Sequence, residues 1–242
     1  MFCSFSLSLL FIQLLQLCPS SYTLPTRQEI FIRPVPNSIL TVRAELKKAE
    51  IISTVIDDFL PSLTLSVSWP KKNANLGNTI KPKHVQDTPT IELYDEITST
   101  SRSSCKSNMT YVITLTDPDA PSRDNPEWSE MCHWIAAGVP LSSDSVSILP
   151  ILEATMPKAM ESYEEIMEYK PPGPLPKTGK HRYVFLVFAP ANGTSQPLDL
   201  TKPSNRQHWG TGKERGGVRQ WAKENGLVPV GANFIYSQNK KQ

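Results

Sequence analysis

Apolar positions along this chain follow three spacings, and each predicts a different element. From Ser38 to Ser62, SILTVRAELKKAEIISTVIDDFLPS places Leu40, Ala44, Ile51, Val55 and Phe59 at roughly helical intervals and stops at Pro61, which predicts a helical segment. LTLSVSWP alternates Leu63, Leu65, Val67 and Trp69 with polar residues, the period of a half-buried strand. TIELYDEI reads as a short strand after a polar, Pro/Asn/Gly-rich loop at 71–90. Denser runs follow in MTYVITLTDPD, MCHWIAAGVP and HRYVFLVFAP. Each is aromatic or β-branched and ends at a proline, as strands do where no further ladder donor is wanted. Between the last two lies LPILEATMPKAMESYEEIMEYKPPGPLPKTGK, acidic in its middle and closed by prolines that exclude helix. RGGVRQWAKENGL predicts a short helix with Val218, Trp221 and Ala222 on one face and Gly226 just past its end, and VPVGANFIYS a last strand. There is no internal repeat. The pattern predicts one β-dominated domain over 38–242 with helices at its margins.

Charge narrows the function class. Among 242 residues, 25 Lys and Arg oppose 23 Asp and Glu, a net charge of +2, which does not suggest a nucleic-acid or other polyanion surface. The start of the chain departs from the rest. MFCSFSLSLLFIQLLQLCPSSY has no charged side chain, runs apolar to Leu17, and offers Cys18 and Ser20 as small residues before a cut after Ser20. It predicts a signal peptide at 1–20, an extended segment at 21–37, a secreted protein (or one held in a vacuole-like compartment of that route), and no transmembrane anchor after cleavage. Cys3 and Cys18 would leave with the signal, and Cys105 and Cys132 remain as a disulfide pair or as two separate buried thiols. Asn108-Met109-Thr110 and Asn192-Gly193-Thr194 are glycosylation sequons. The segment PSNRQHWGTGKERGGVRQWA carries Arg206, Lys213, Arg215 and Arg219, either as a basic interaction patch or as a solvated loop.

The chemistry concentrates where the strand at Val112–Thr116 ends in Asp117-Pro118-Asp119-Ala120-Pro121. Pro118 and Pro121 stiffen the turn, and the Ala120–Pro121 bond is a candidate for cis geometry. Two carboxylates this close repel, so one must be protonated or each must find a cation. His133 and His181 lie in apolar strand contexts, with Arg182 and Tyr183 next to the second. Such a group binds an anion if the imidazoles are charged, or a metal if they are neutral.

The blocks DPDAPSR, CHWI and GPLPKTGKHRYVFLVF resemble the phosphatidylethanolamine-binding protein family, over about Ile51 to Ser237. The resemblance implies a mostly β fold, a sandwich of a large antiparallel sheet and a smaller sheet with peripheral helices. It implies a small anion pocket walled by Asp117, Asp119 and Pro121, by His133, and by His181 with Tyr183, while Arg182 braces a carboxylate from behind. The expected ligand is a phosphate-like or phosphatidylethanolamine head group. A serine carboxypeptidase is an expected protein partner, since the family includes inhibitors of such enzymes. No cofactor, no metal and no catalysis are implied. The rival reading is a metal-dependent or acid/base hydrolase using the same Asp/His group, although no nucleophile elbow, HExxH motif or phosphate-binding glycine loop is present. Leu175 stands where many family members carry a second proline.

Overall fold

The computed structural model describes residues 39–95, 109–142 and 163–241, all within one unit, Val35–Gln242. Helix α1 (Ile39–Lys48) is followed by strands β1 (Leu63–Trp69), β2 (Lys72–Asn73), β3 (Asn78–Thr79), β4 (Thr90–Asp95), β5 (Tyr111–Asp117), β6 (Met131–Val139), β7 (Glu164–Met167) and β8 (Lys180–Pro190). Helix α2 (Val218–Glu224) and strand β9 (Leu227–Gln238) complete the order. Two sheets result: a three-stranded one ordered β2-β1-β4 and a six-stranded one ordered β3-β9-β8-β5-β6-β7. All pairings are antiparallel except β3 with β9, a two-residue parallel contact. Among the described residues no helix is long and apolar enough to cross a membrane.

The continuous apolar runs have a simple cause. The six-stranded sheet is covered on both faces, so its central strands cannot alternate polar with apolar residues. Ile113, Leu115, Tyr183, Phe185 and Val187 pack with Leu63, Leu65 and Val67 of the smaller sheet. Val112, Val184, Leu186 and Phe188 pack instead with Val42, Leu46, Val218 and Trp221 of the two helices. Strand β1 has only one covered face, and its buried and half-buried residues alternate as its sequence predicts. Along β8, odd-numbered residues therefore face the smaller sheet and even-numbered ones face the helices. That alternation sorts the site chemistry.

Several expectations need correction. The helix predicted over Ser38–Ser62 ends at Lys48, and Leu40 is 73% exposed while Val42 and Leu46 supply the buried stripe. Glu50 takes a left-handed conformation (φ 55°), its N–H donates to the Lys47 carbonyl, and the Ile51 N–H donates to the Leu46 carbonyl. This is a Schellman stop with glutamate where glycine is usual, closed by contact between buried Leu46 and Ile51. Strand β7, in the acidic stretch, was not expected; it is an edge strand whose Glu164 and Glu165 face solvent and whose Met167 alone is buried. Cys132 is a free thiol, wholly buried, with burial pushing its pKa up to about 12. Cys105, the other cysteine of the expected pair, lies outside the described residues. The short helix α2 buries Val218, Trp221 and Ala222 as predicted, and Gly226 follows at φ +64°.

Candidate functional site

Strand order brings the predicted residues together. β5 lies between β6 and β8, so the end of β5 with Asp117, the start of β6 with His133 and the start of β8 with His181 share one sheet edge. Asp117, His133, His181 and Tyr183 are all nearly fully buried. The His133 and Tyr183 rings meet edge to face at 5.3 Å, and the His181 and Tyr183 rings stack at 6.3 Å. The peptide bond between Ala120 and Pro121 is cis, and Pro121 is half-buried beside His181.

The hydrogen bonds of His181 favour its charged form. Its Nδ1 lies 2.9 Å from Asp117 Oδ2, and its Nε2 lies 3.0 Å from Thr178 Oγ1. The Thr178 hydroxyl has a single proton and donates it to the Leu175 carbonyl at 2.8 Å, so at Nε2 it can only accept. An Asp117 carboxylate also only accepts. With Thr178 donating to Leu175, both ring nitrogens stand as donors, the pattern that favours the imidazolium form. Burial opposes that charge, but the hydrogen bond and charge of Asp117, with Asp119 behind it, outweigh burial and hold the pKa above its usual value.

His133 is the opposite case. Its Nδ1 donates to the Lys170 carbonyl at 2.7 Å, while the Lys170 N–H donates back to the His133 carbonyl at 2.7 Å. Burial holds its pKa below the usual value, the nearby Asp117 charge only partly compensating. The neutral tautomer then carries its lone pair on Nε2. Burial, reinforced by the Asp117 carboxylate, pushes the Tyr183 hydroxyl well above the ordinary phenol range, so it stays protonated. The cluster thus sets a histidine whose charged form Asp117 favours beside one whose charged form burial disfavours.

Asp119 does not wall this space with Asp117. Its backbone N–H donates to Asp117 Oδ1 at 2.8 Å, which closes the turn, but its own carboxylate faces the helices. There Arg182, the even-numbered neighbour of His181, donates to Asp119 through Nε at 2.9 Å and Nη2 at 2.6 Å, and the Arg182 backbone N–H adds a third bond at 2.8 Å. Nη1 caps the end of α1 by donating to the carbonyls of Ala49 and Glu50. The two carboxylates avoid repulsion because each has its own cation. Behind Asp119 and Arg182, Glu50, Arg123, Glu130 and Arg215 help to line a polar cavity of about 170 Å³.

Sequence reasoning missed Thr178, the Lys170 carbonyl and Glu130. A carbonyl carries no sequence signal, and Thr178 is one more polar residue in a turn. Glu130 was legible as a lone acid opening an apolar strand. It is wholly buried, accepts from the Thr116 hydroxyl at 3.0 Å and the Val218 N–H at 3.4 Å, and burial raises its pKa to about 8. The basic segment is largely structural. Arg206 donates to the carbonyls of Cys132, His133 and Glu168, and Arg219 to that of Ser53, which leaves Lys213 and Arg215 exposed. Of the sequons, Asn192 is exposed in a turn, and Asn108 lies outside the described residues. Among the described residues no three His, Cys, Asp or Glu side chains converge to hold a metal ion.

The protein is thus a sandwich of a large and a small sheet with a buried Asp/His/Tyr cluster at one edge of the large one. The family model described as phosphatidylethanolamine-binding protein matches residues 70–235, and the chain belongs to that family. It is 30% identical over 207 residues to the carboxypeptidase Y inhibitor of Saccharomyces cerevisiae, covering 80% of this chain and 93% of that protein. The solved structure of a carboxypeptidase Y inhibitor complexed with its cognate proteinase superposes with a TM-score of 0.67 at 26% identity, over 86% of this chain and all of that one. A phosphatidylethanolamine-binding protein from Plasmodium vivax shares the fold, with a TM-score of 0.54 at 18% identity over 81% and 97% of the two chains.

Proposed function

We propose that this protein is a secreted binding protein whose Asp117–His133–His181–Tyr183 pocket takes a phosphate-like head group, and that it inhibits a serine carboxypeptidase through a separate protein contact. The observation that carries the pocket reading is the buried His181, held towards its charged form by Asp117, with Nε2 against the Thr178 hydroxyl oxygen. That oxygen stands where an oxyanion of the ligand would accept a proton from Nε2, so a phosphate oxygen binds by displacing a neutral acceptor on an exposed turn. Charge-assisted bonds of this kind are roughly twice as strong as neutral ones. An ammonium on the same ligand would meet the His133 Nε2 lone pair, which suits a zwitterionic phosphoethanolamine. The protease reading rests on the relative named for carboxypeptidase Y inhibition. Secretion rests on the apolar leader and the exposed Asn192 sequon.

Calorimetric titration with phosphoethanolamine tests the pocket. The expected result is saturable binding at pH 6 that weakens at pH 8 and is lost in His181→Ala. Binding indifferent to both pH and substitution overturns it. Titrating a serine carboxypeptidase with the wild-type protein tests the second activity; no inhibition at stoichiometric excess removes it without touching the pocket reading.

A further inference from the structure

The far end of β8 carries a second concavity. Phe188 is seven residues beyond His181, roughly 23 Å along a strand at about 3.3 Å per residue. There the loop at Ile56–Phe59, helix α2 and the turn into β9 enclose a groove of about 670 Å³. Its floor and walls are apolar: Ile56, Phe59, Phe188, Ala222, Leu227 and Val228. Val228 stands 43% exposed in it. The size falls within the range of roughly 300–1,000 Å³ typical of small-ligand sites, as does the plan of apolar walls with few polar groups.

The charges lie at one rim. Arg219 and Lys223 are four apart on α2, hence on one face. Arg219 reaches Asp57 at 3.3 Å and the Ser53 carbonyl at 2.7 Å, but its buried Nε has no partner. Lys223 forms no ion pair among the described residues. The groove's other acid, Asp58, is already held by Arg43 at 2.7 Å and Lys47 at 2.8 Å. Of the four charged side chains that line the groove, Asp57 is paired with Arg219 and Asp58 with Arg43 and Lys47 from outside it, which leaves Lys223 as the one without an ionic partner among the described residues; Glu224 nearby accepts from Gln220. A largely apolar trough whose one unpaired lining charge is a lysine complements an apolar tail with a single anionic head.

We propose that this groove binds a long-chain fatty acid, its carboxylate against Arg219 and Lys223 and its chain along Phe59, Phe188, Leu227 and Val228. The site is separate from the Asp/His pocket and does not rest on the function proposed for that pocket. The test is equilibrium binding of 11-(dansylamino)undecanoic acid to the full chain, followed by fluorescence, with oleate and methyl oleate as competitors. Saturable one-to-one binding is expected, displaced by oleate and at least tenfold less well by methyl oleate. Val228→Asp, which places a like charge in the trough, should weaken binding at least tenfold. Lys223→Gln, exposed and without a structural partner, should weaken it about threefold to tenfold. His181→Ala should leave it unchanged. Absence of saturable binding, equal competition by the ester, or loss of binding in His181→Ala would each overturn the proposal. So would a dimer in solution that Val228→Asp dissociates, because a second copy of the chain would then be the occupant.

Discussion

At the start of β8 the two buried basic side chains each have dedicated partners: His181 sits between Asp117 and Thr178, and Arg182 makes three bonds to Asp119 and two to the end of α1. Near its last residues, around Phe188, the arrangement is reversed. The walls are apolar, the charges stand at the rim, and Arg219 leaves one nitrogen unbonded. The first end holds charge in a dry interior, where each ion needs compensation at fixed geometry. The second presents surface that water only partly satisfies. A buried charged site is therefore intolerant of substitution, whereas a rim site tolerates it. That contrast orders the expected effects.

The largest effect should come from Asp119→Ala. It strands Arg182, 4% exposed, without its carboxylate and disturbs the cap on α1. Breaking a buried pair on one side costs about 3–5 kcal/mol. Urea unfolding should show a loss of that order; a loss below about 1 kcal/mol would mean the guanidinium turns into the adjacent polar cavity and finds water.

Glu130→Gln should come next and in the opposite direction. The acid's pKa rises from 4.5 to about 8 on folding, so between those values the unfolded chain has released a proton that the folded chain keeps. Stability therefore falls as pH rises through that window and levels off above it. At about 1.36 kcal/mol per unit, the whole shift amounts to roughly 5 kcal/mol, of which about 4 kcal/mol falls between pH 5 and pH 8. Gln removes it, so the variant's stability relative to wild type should climb between pH 5 and pH 8. Parallel pH profiles for the two proteins would show that Glu130 is ionised in the fold.

His181→Ala should have a smaller effect with its own pH signature. Since the folded pKa lies above 6.5, the stabilisation is full below about pH 6.5 and is lost as pH rises through the folded value. A hydrogen bond to a charged group contributes about 1.5–3 kcal/mol, so the variant should lose roughly 2 kcal/mol at pH 5.5 and less at pH 9. Thr178→Val, which takes the partner from Nε2 without removing the histidine, should cost about 1–3 kcal/mol in the unliganded protein and strengthen phosphoethanolamine binding severalfold. Weaker binding in that variant would mean that Thr178 helps to hold the ligand instead of competing with it.

The same contrast explains what the sequence disclosed. The strands with two covered faces appear as unbroken apolar runs, and the buried Asp, His and Arg residues stand out against them. A β-dominated domain and the grouping of Asp117, His133, His181 and Tyr183 were therefore legible, while the two-sheet arrangement came from the family resemblance. The split between Asp117 and Asp119 was hidden, because it depends on which face of β8 each partner occupies and not on their spacing of two. Glu50 hid the end of α1, since a left-handed residue is expected to be Gly or Asn. β7 escaped because an edge strand needs only one buried residue, Met167, to hold its place. The groove had no sequence signature at all: Ile56, Phe188 and Val228 come from three distant segments, and each reads as ordinary core.

The smallest expected effect lies at the rim of that groove. Asp58 receives Arg43 through two nitrogens and Lys47 through a third contact at 2.8 Å, and hydrogen bonds from both hold its carboxyl well below the usual carboxylate range. All three side chains are about 40% exposed or more, so water and salt screen the attraction. Asp58→Asn should lower the thermal midpoint slightly at low ionic strength, and the difference should vanish near 0.5 M salt, where the screening length is only about 4 Å. The same change should strengthen dansylaminoundecanoate binding, because it releases two cations beside the trough while leaving its walls intact. A midpoint drop that persists in high salt would place Asp58 with the dry charges at the other end of β8. An unchanged fatty-acid affinity would show that Arg43 and Lys47 lie too far from the head group to matter, leaving Arg219 and Lys223 as the cations that receive it.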